Sequence, residues 1–499
     1  MLDLNKKALD AKTSDVKTLD EKALDVEASD AKTLDAKALD AEVLDEKSLD
    51  ARTLDGSPLD IKSLNKRGLD VSALNEKALL AKEKRASFGQ DIDLDTFSSQ
   101  TSPPPPTPDL SHVTSRDTAC DTSPDFGLAR DFQEVSALLS EADKERMILS
   151  GIDAEGAGRS GTYLQKDAAV LHVCSSHPGL EVMPIREALE RYPWVENYYW
   201  KLVAVDTDKY TARAQLDLHN GYVIRALPGS KVIYPVQACM YLGKEGSSQN
   251  VHNLIIAEEG SELHIIVGCA TAAHVRQAVH IGVSEFYIKK KAKLSFTMIH
   301  TWAEEVMARS RSVAMVEEEG LFLNNYICMM PARSIQTYPT TYLVGKGAVA
   351  RSYSLLVASP KSEMDVGNRV FLKEPDTRAE IISRAITNGG TIIARGDLIG
   401  EVAGVKAHLE CRGLILNGGT MHAIPELEGR ADGVEMSHEA AVGKIAQEEI
   451  LYLMSRGLSE DEATSTIVRG FLNIDIPGLP PQLKAEIDRA VGQSDKDVM

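Results

Sequence analysis

The side chains in this sequence best placed to do chemistry are its thiols and imidazoles. Six cysteines (Cys120, Cys174, Cys239, Cys269, Cys328 and Cys411) are scattered with no CxxC pair and no short disulfide-type spacing, a usage that suits a reducing compartment. A single cysteine in β-rich sequence is most simply a small buried hydrophobe, and Cys174, Cys239 and Cys328 fit that reading. His264, His274 and His280 sit among apolar residues and fit local hydrogen bonding. The adjacent pair His438-Glu439, taken alone, reads as the start of a helix with an acidic first turn. No GxxxxGK[ST] loop, HExxH, GxSxG or paired CxxC occurs, so the chain lacks the phosphate cradle, the zinc helix and the nucleophile elbow of the common hydrolases.

The elements that must position these groups fall into four stretches, 1–130, 131–200, 201–436 and 437–499. Across residues 9–79 a five-residue unit recurs, as in Leu34-Asp35-Ala36-Lys37-Ala38. Five residues of α-helix turn through about 500 degrees, so the leucines wander round the cylinder and line no face. A pentapeptide β-helix wants a small inward residue two places before each Leu, where this chain usually has Lys or Glu. A solvated low-complexity arm fits better. The run Pro103-Pro104-Pro105-Pro106 then reads as an extended linker.

Helical spacing predicts a helix over 131–149 and another over 185–192, stopped by Pro193. The aromatics Trp194, Tyr198, Tyr199 and Trp200 behind it read as packing between a helical cap and the next domain. From 201 to 428 short β-rich runs alternate with Gly and charge. Asn388-Gly389-Gly390-Thr391 recurs as Asn417-Gly418-Gly419-Thr420, and turn-like breaks at Glu259-Gly260, Lys291-Ala292, Glu319-Gly320 and Lys346-Gly347 keep a spacing near 30. Such a period predicts a coil of parallel strands, each rung burying the next. A helix is predicted over 439–456, a second opened by the capping box Ser459-Glu460-Asp461-Glu462, and a third after Pro480-Pro481.

The formal net charge of -19 and a pI near 5.2 argue against nucleic acid and anionic membrane as partners. With no secretory signal and no apolar run long enough to span a bilayer, the expected location is the cytoplasm.

Three groups of residues carry a family likeness. Ser437-His438-Glu439-Ala440-Ala441-Val442-Gly443-Lys444-Ile445 continuing through Leu451 to Ser459 resembles the C-terminal signature of SufB and SufD. Arg384-Ala385-Ile386 through Asn388-Gly389-Gly390 to Glu410-Cys411 and His422-Ala423-Ile424-Pro425 is a second match. Glu262-Leu263-His264 with Gly268-Cys269-Ala270 and the strand ending at Trp302 is a third. The likeness runs from about residue 131 to the C-terminus and leaves the repeat arm unmatched.

This resemblance implies a mainly β protein: a right-handed parallel β-helix between helical N- and C-terminal domains, dimerising through the β-helix with a like chain. It implies a SUF-type scaffold for transient iron-sulfur clusters, with a SufC-like ABC-type ATPase docked on the C-terminal helices, and with a sulfur donor and apo-protein acceptors as further partners. The scaffold is not itself an enzyme, and ATP hydrolysis is expected from the partner. Soft thiolate holds iron and accepts sulfur while imidazole or carboxylate completes the shell. The resemblance places Cys411, His438 and Glu439 at the cluster site, Glu439 keeping the acidic residue of SufB. It makes Cys269 a sulfur acceptor, with His300 and Trp302 on an interior path to Cys411. His300 stands where bacterial SufB has Gln, and Ser437 replaces an acidic residue. The rival expectations are a cluster-free structural partner of the ATPase and a β-helix polysaccharide-active enzyme.

Overall fold

The computed structural model describes residues 139–153 and 158–472. The five-residue repeats, the proline run, Cys120, the first part of the helix predicted over 131–149 and the helix predicted after Pro481 lie outside the described residues.

The described chain opens with α1 (Glu141–Leu149), which starts where the Ser140 side chain accepts from the Asp143 amide. Three short strands follow, β1 (Gly161–Lys166), β2 (Ala169–Ser175) and β3 (Leu180–Pro184), then α2 (Ile185–Arg191) and α3 (Lys209–Leu216). Strands then run almost without interruption: β4 (Tyr222–Ala226), β5 (Val236–Leu242), β6 (Ser247–Ala257), β7 (Glu262–Thr271), β8 (Gln277–Ile288), β9 (Lys293–Thr301) and β10 (Glu305–Val316). The second half adds β11 (Leu321–Cys328), β12 (Ser334–Thr337), β13 (Thr340–Leu343), β14 (Val349–Ala358), β15 (Glu363–Leu372) and β16 (Arg378–Asn388). Last come β17 (Thr391–Gly400), β18 (Lys406–Leu416), β19 (Thr420–Gly429), β20 (Glu435–Gly443), α4 (Gln447–Ser455) and α5 (Glu460–Leu472).

From β4 onward successive strands alternate between two sheets, with β12 and β13 together filling one rung. One runs β2-β1-β5-β7-β9-β11-β14-β16-β18-β20, the other β19-β17-β15-β12-β10-β8-β6-β4-β3, with β13 pairing β10 and β15. Along the solenoid, from the pairing of β4 with β6 to that of β18 with β20, neighbouring strands run parallel. This is the expected parallel β-solenoid. Its interior is built by period-two alternation: in β16, Ala379, Ile381, Ser383 and Ala385 are buried while Glu380, Ile382 and Arg384 are only partly covered. The repeated Asn-Gly-Gly-Thr motif becomes one turn stacked on another, with Asn417 Nδ2 donating to Asn388 Oδ1 at 2.6 Å and Gly389 and Gly418 at φ 92° and 83°, where a side chain would be strained.

The outer face of the first sheet is covered by α5, whose Val468 and Leu472 pack on Ile327, Tyr353, Leu355 and Ile386. Ser459 and Glu462 form the predicted capping box. The aromatic cluster packs on the outer face of the second sheet: Tyr198 meets Tyr287 at 4.7 Å, Trp200 meets His252 at 4.4 Å, and the Arg225 guanidinium lies 4.5 Å from the centre of the Trp194 ring. Two expectations differ: the stretch 131–200, expected as a helical domain, also carries β1, β2 and β3, which pair with the ends of the two sheets, and the C-terminal helix starts later than predicted. Residues 439–443, expected as helix, belong to β20, because the free edge of β18 offers a full ladder of partners from Lys406↔Glu435 to Leu414↔Gly443. The helix begins only at Gln447.

Among the buried histidines, burial lowers the pKa of His252, His280 and His300, that of His280 to about 4. The unfolded chain protonates first as pH falls, so their contribution is fully present above about 6.5 and is lost progressively below it, for His280 down to about pH 4. For His280 alone the loss amounts to about 3 kcal/mol. Urea midpoints measured between pH 7.5 and 5 should therefore fall steadily, with a shallower slope in His280→Gln; equal slopes would show that His280 does not set the acid lability.

Candidate cluster site at the last rung

On β18 the residues Ala407, Leu409 and Cys411 are buried, while His408, Glu410 and Arg412 point the other way. Cys411 therefore faces the solenoid interior, 4% exposed. The next rung, β20, ends its sheet, and its register sets His438 against Leu409, Glu439 against Glu410 and Ala440 against Cys411. Period two thus places His438 on the inner face with Cys411 and Glu439 on the outer face. Both β20 residues are exposed, since among the described residues no further rung covers them.

Glu439 is tied into a charge ladder behind the site. Glu410 Oε1 lies 2.5 Å from Arg384 Nη2 and 2.8 Å from Arg412 Nε, and Arg412 Nη2 donates to Glu439 Oε2 at 3.5 Å. Burial pushes the Cys411 thiol up to about 11, while the nearby Arg384 guanidinium draws it down and Glu410 opposes that. Among the described residues no three His, Cys, Asp or Glu side chains are gathered as a metal-holding set. Within one copy Cys411 and His438 share the inner face on neighbouring rungs, two residues out of register, while Glu439 faces the other way. Beside them Gly413 lets Met421 approach closely, because a Cβ there would lie 1.9 Å from the Met421 sulfur.

The other candidates share the interior. Cys269 on β7 is in register with His300 on β9, which is in register with Cys328 on β11. His300 Nδ1 is 2.9 Å from Tyr326 Oη, and the His300 ring is 4.9 Å from that of Trp302, which in turn is 5.3 Å from His280. Tyr326, two residues before Cys328 on the same inward face of β11, belongs to a neighbouring row, which continues through Ser354 and Ser383 to Cys411, one residue on each successive rung. A cavity of about 30 Å³ lies along this row, with Tyr326, Ser354, Asn324 and Ser310 in its wall. Sequence reasoning singles out none of Tyr326, Ser354 and Ser383, and it reads Cys328 as packing. The signal for them is the repeat itself, which stacks residues about one rung apart once the inward parity is fixed.

Comparison with known proteins places this architecture. Residues 240–471 match the family model for the SufBD core domain of SUF system FeS cluster assembly. An iron-sulfur cluster assembly SufBD family protein of Archaeoglobus fulgidus is 51% identical over 371 residues, covering 74% of this chain and 100% of that protein. Another, from Methanothermobacter thermautotrophicus (strain Winter), is 45% identical over 426 residues, covering 84% and 97%, and one from Pyrococcus horikoshii is 32% identical over 316 residues, covering 63% and 71%. With the solenoid expected of such proteins and relatives matched over most of its length, the chain belongs to the SufBD family of iron-sulfur cluster assembly proteins.

Proposed function

We propose that this protein is a scaffold on which iron-sulfur clusters are built and from which they are passed on, working with a SufC-like ABC-type ATPase in the cytoplasm. The observation that carries the reading is a soft thiol and an imidazole on the same inner face at the end of the sheet, Cys411 on β18 and His438 on the uncovered final rung β20. A thiolate and an imidazole suit iron, and an open rung gives the nascent cluster a way in and out.

Two copies of the chain, or this chain and a SufD-like one, meet through the ends of the two sheets. Among the described residues the edge strands β19 and β20 are unpaired on one side, and free edges of this kind pair readily with another strand. Glu439 then serves the cluster across the interface rather than within one copy. The ATPase docks on α4 and α5, where Leu451 and Tyr452 are 54% and 58% exposed, more apolar surface than a solvated helix needs. Cys269 accepts sulfur, and His300 and Trp302 line its interior way toward Cys411.

The test is anaerobic co-purification of the full chain with a co-expressed SufC-like ATPase, followed by reconstitution with iron and sulfide. The expected result is a cluster whose absorbance survives desalting and moves to an apo-protein acceptor. An ATPase complex that forms normally and holds no cluster would favour the cluster-free structural partner instead.

A further inference from the structure

The solenoid interior holds two buried ring nitrogens that have no hydrogen-bond partner among the described residues, His300 Nε2 and Trp302 Nε1. Buried polar groups are nearly always paired, so two neighbours left over together call for a ligand. Both side chains are 2% exposed or less. Trp302 Nε1 can only donate. The state of His300 is set by Tyr326, whose Oη is 2.9 Å from Nδ1. An imidazole nitrogen is a better acceptor for a phenol than a neighbouring thiol is, so Tyr326 donates to Nδ1 and the neutral ring carries its hydrogen on Nε2. The result is a pair of idle N–H donors in the interior, one on His300, which is in register with Cys269, the other on Trp302, whose ring lies 4.9 Å from that of His300.

We propose that His300 Nε2–H and Trp302 Nε1–H form an anion hole for the terminal sulfur of a persulfide on Cys269, with Tyr326 as the positioning residue that fixes the imidazole tautomer. This rests on the reading of Cys269 as the sulfur acceptor, and adds the species held and the groups that hold it. A thiol at this depth stays protonated and asks nothing of the two donors. A persulfide is far more acidic than its parent thiol and brings a negative charge, for which charge-assisted N–H bonds are the strong partners. The site therefore favours the loaded state over the empty one.

Inorganic polysulfide can load the site without an outside oxidant. The Cys269 sulfur attacks the terminal sulfane sulfur, a new S–S bond forms at Cys269, and one S–S bond of the polysulfide breaks. The shortened polysulfide leaves with the electron pair and takes the thiol proton.

The experiment treats the full chain anaerobically with sodium tetrasulfide, removes the excess, and follows one added sulfur on Cys269 by alkylation and mass spectrometry across a pH series. In wild type the persulfide is expected to form and to ionise at low pH. Trp302→Phe keeps the ring and loses a donor, Tyr326→Phe frees the tautomer, and His300→Leu removes the second donor. Each should raise the pH at which the persulfide ionises by about one unit, an about tenfold loss of preference for the anion. His300→Gln restores a side-chain N–H and should return toward wild type, which a merely structural role would not do. If one variant fails to fold, the remaining variants decide the matter. Loading in wild type with the same pH profile in every folded variant would overturn the anion hole and leave Cys269 as acceptor. No added sulfur on wild-type Cys269 would overturn both.

Discussion

Cys411→Ser protein, reconstituted anaerobically with iron and sulfide, is expected to bind at least about tenfold less iron than wild type, because a hydroxyl replaces the soft thiolate that such a site requires. The exchange is nearly isosteric at a residue that is 4% exposed, so an unchanged unfolding midpoint would separate loss of ligand from loss of fold. His438→Ala should weaken iron binding as well, since His438 shares the inner face with Cys411. Pairing the two variants tells more than either alone. In a complex of one Cys411→Ser copy with one His438→Ala copy, a site built across the interface leaves one of two sites intact and retains about half of the wild-type iron. A site built within each copy leaves both broken. Normal iron in both single variants would remove Cys411 and His438 from the cluster site.

Much of the fold is legible in the residues themselves, and the reasons are physical. The recurrence of Asn388-Gly389-Gly390-Thr391 at Asn417 is the repeat length of the coil, and the structure turns it into stacked turns joined by an Asn-to-Asn hydrogen bond. Ser459 and Glu462 announce α5 because the capping box is a local signal, satisfied by residues three apart. The stretch around His438 misleads for the opposite reason. Its helical spacing is real, but the free edge of β18 supplies nine registered partners from Glu435 to Gly443, and such tertiary pairing outweighs propensity. That change from helix to strand matters for the site. On a helix His438 and Glu439 would sit about 100 degrees apart, whereas on β20 they face opposite ways. The two neighbouring inward rows, Cys269-His300-Cys328 and Tyr326-Ser354-Ser383-Cys411, are harder to see, since each member is an ordinary Ser, Tyr, His or Cys and only the registers of successive rungs bring them into line.

Glu285→Ala should be the most damaging single change outside the cluster site, lowering stability by about 3–5 kcal/mol. The Glu285 side chain is fully buried, yet it does not lack partners. Its carboxylate accepts from the Trp200 amide at 2.7 Å and from the Val203 amide at 3.0 Å, with the Leu202 amide as a further donor, and it lies 2.8 Å from His252 Nε2. These contacts bind the segment after the aromatic cluster to the outer face of β8, where Val203 and Tyr210 pack on Val279, Ile281 and Val283. Removing the carboxylate strands three backbone donors and a ring nitrogen in a site that water cannot reach, and each orphan costs about 1–3 kcal/mol before the segment relaxes. Relaxation is the cheaper outcome, so the damage should be local first: faster hydrogen exchange at residues 200–203, then a lower urea midpoint for the whole chain. Glu285→Gln keeps one acceptor oxygen and should fall between wild type and Ala. Protection at 200–203 that survives Glu285→Ala unchanged would mean that the apolar contacts alone hold this segment, and that the buried carboxylate is dispensable to the outer layer of the solenoid.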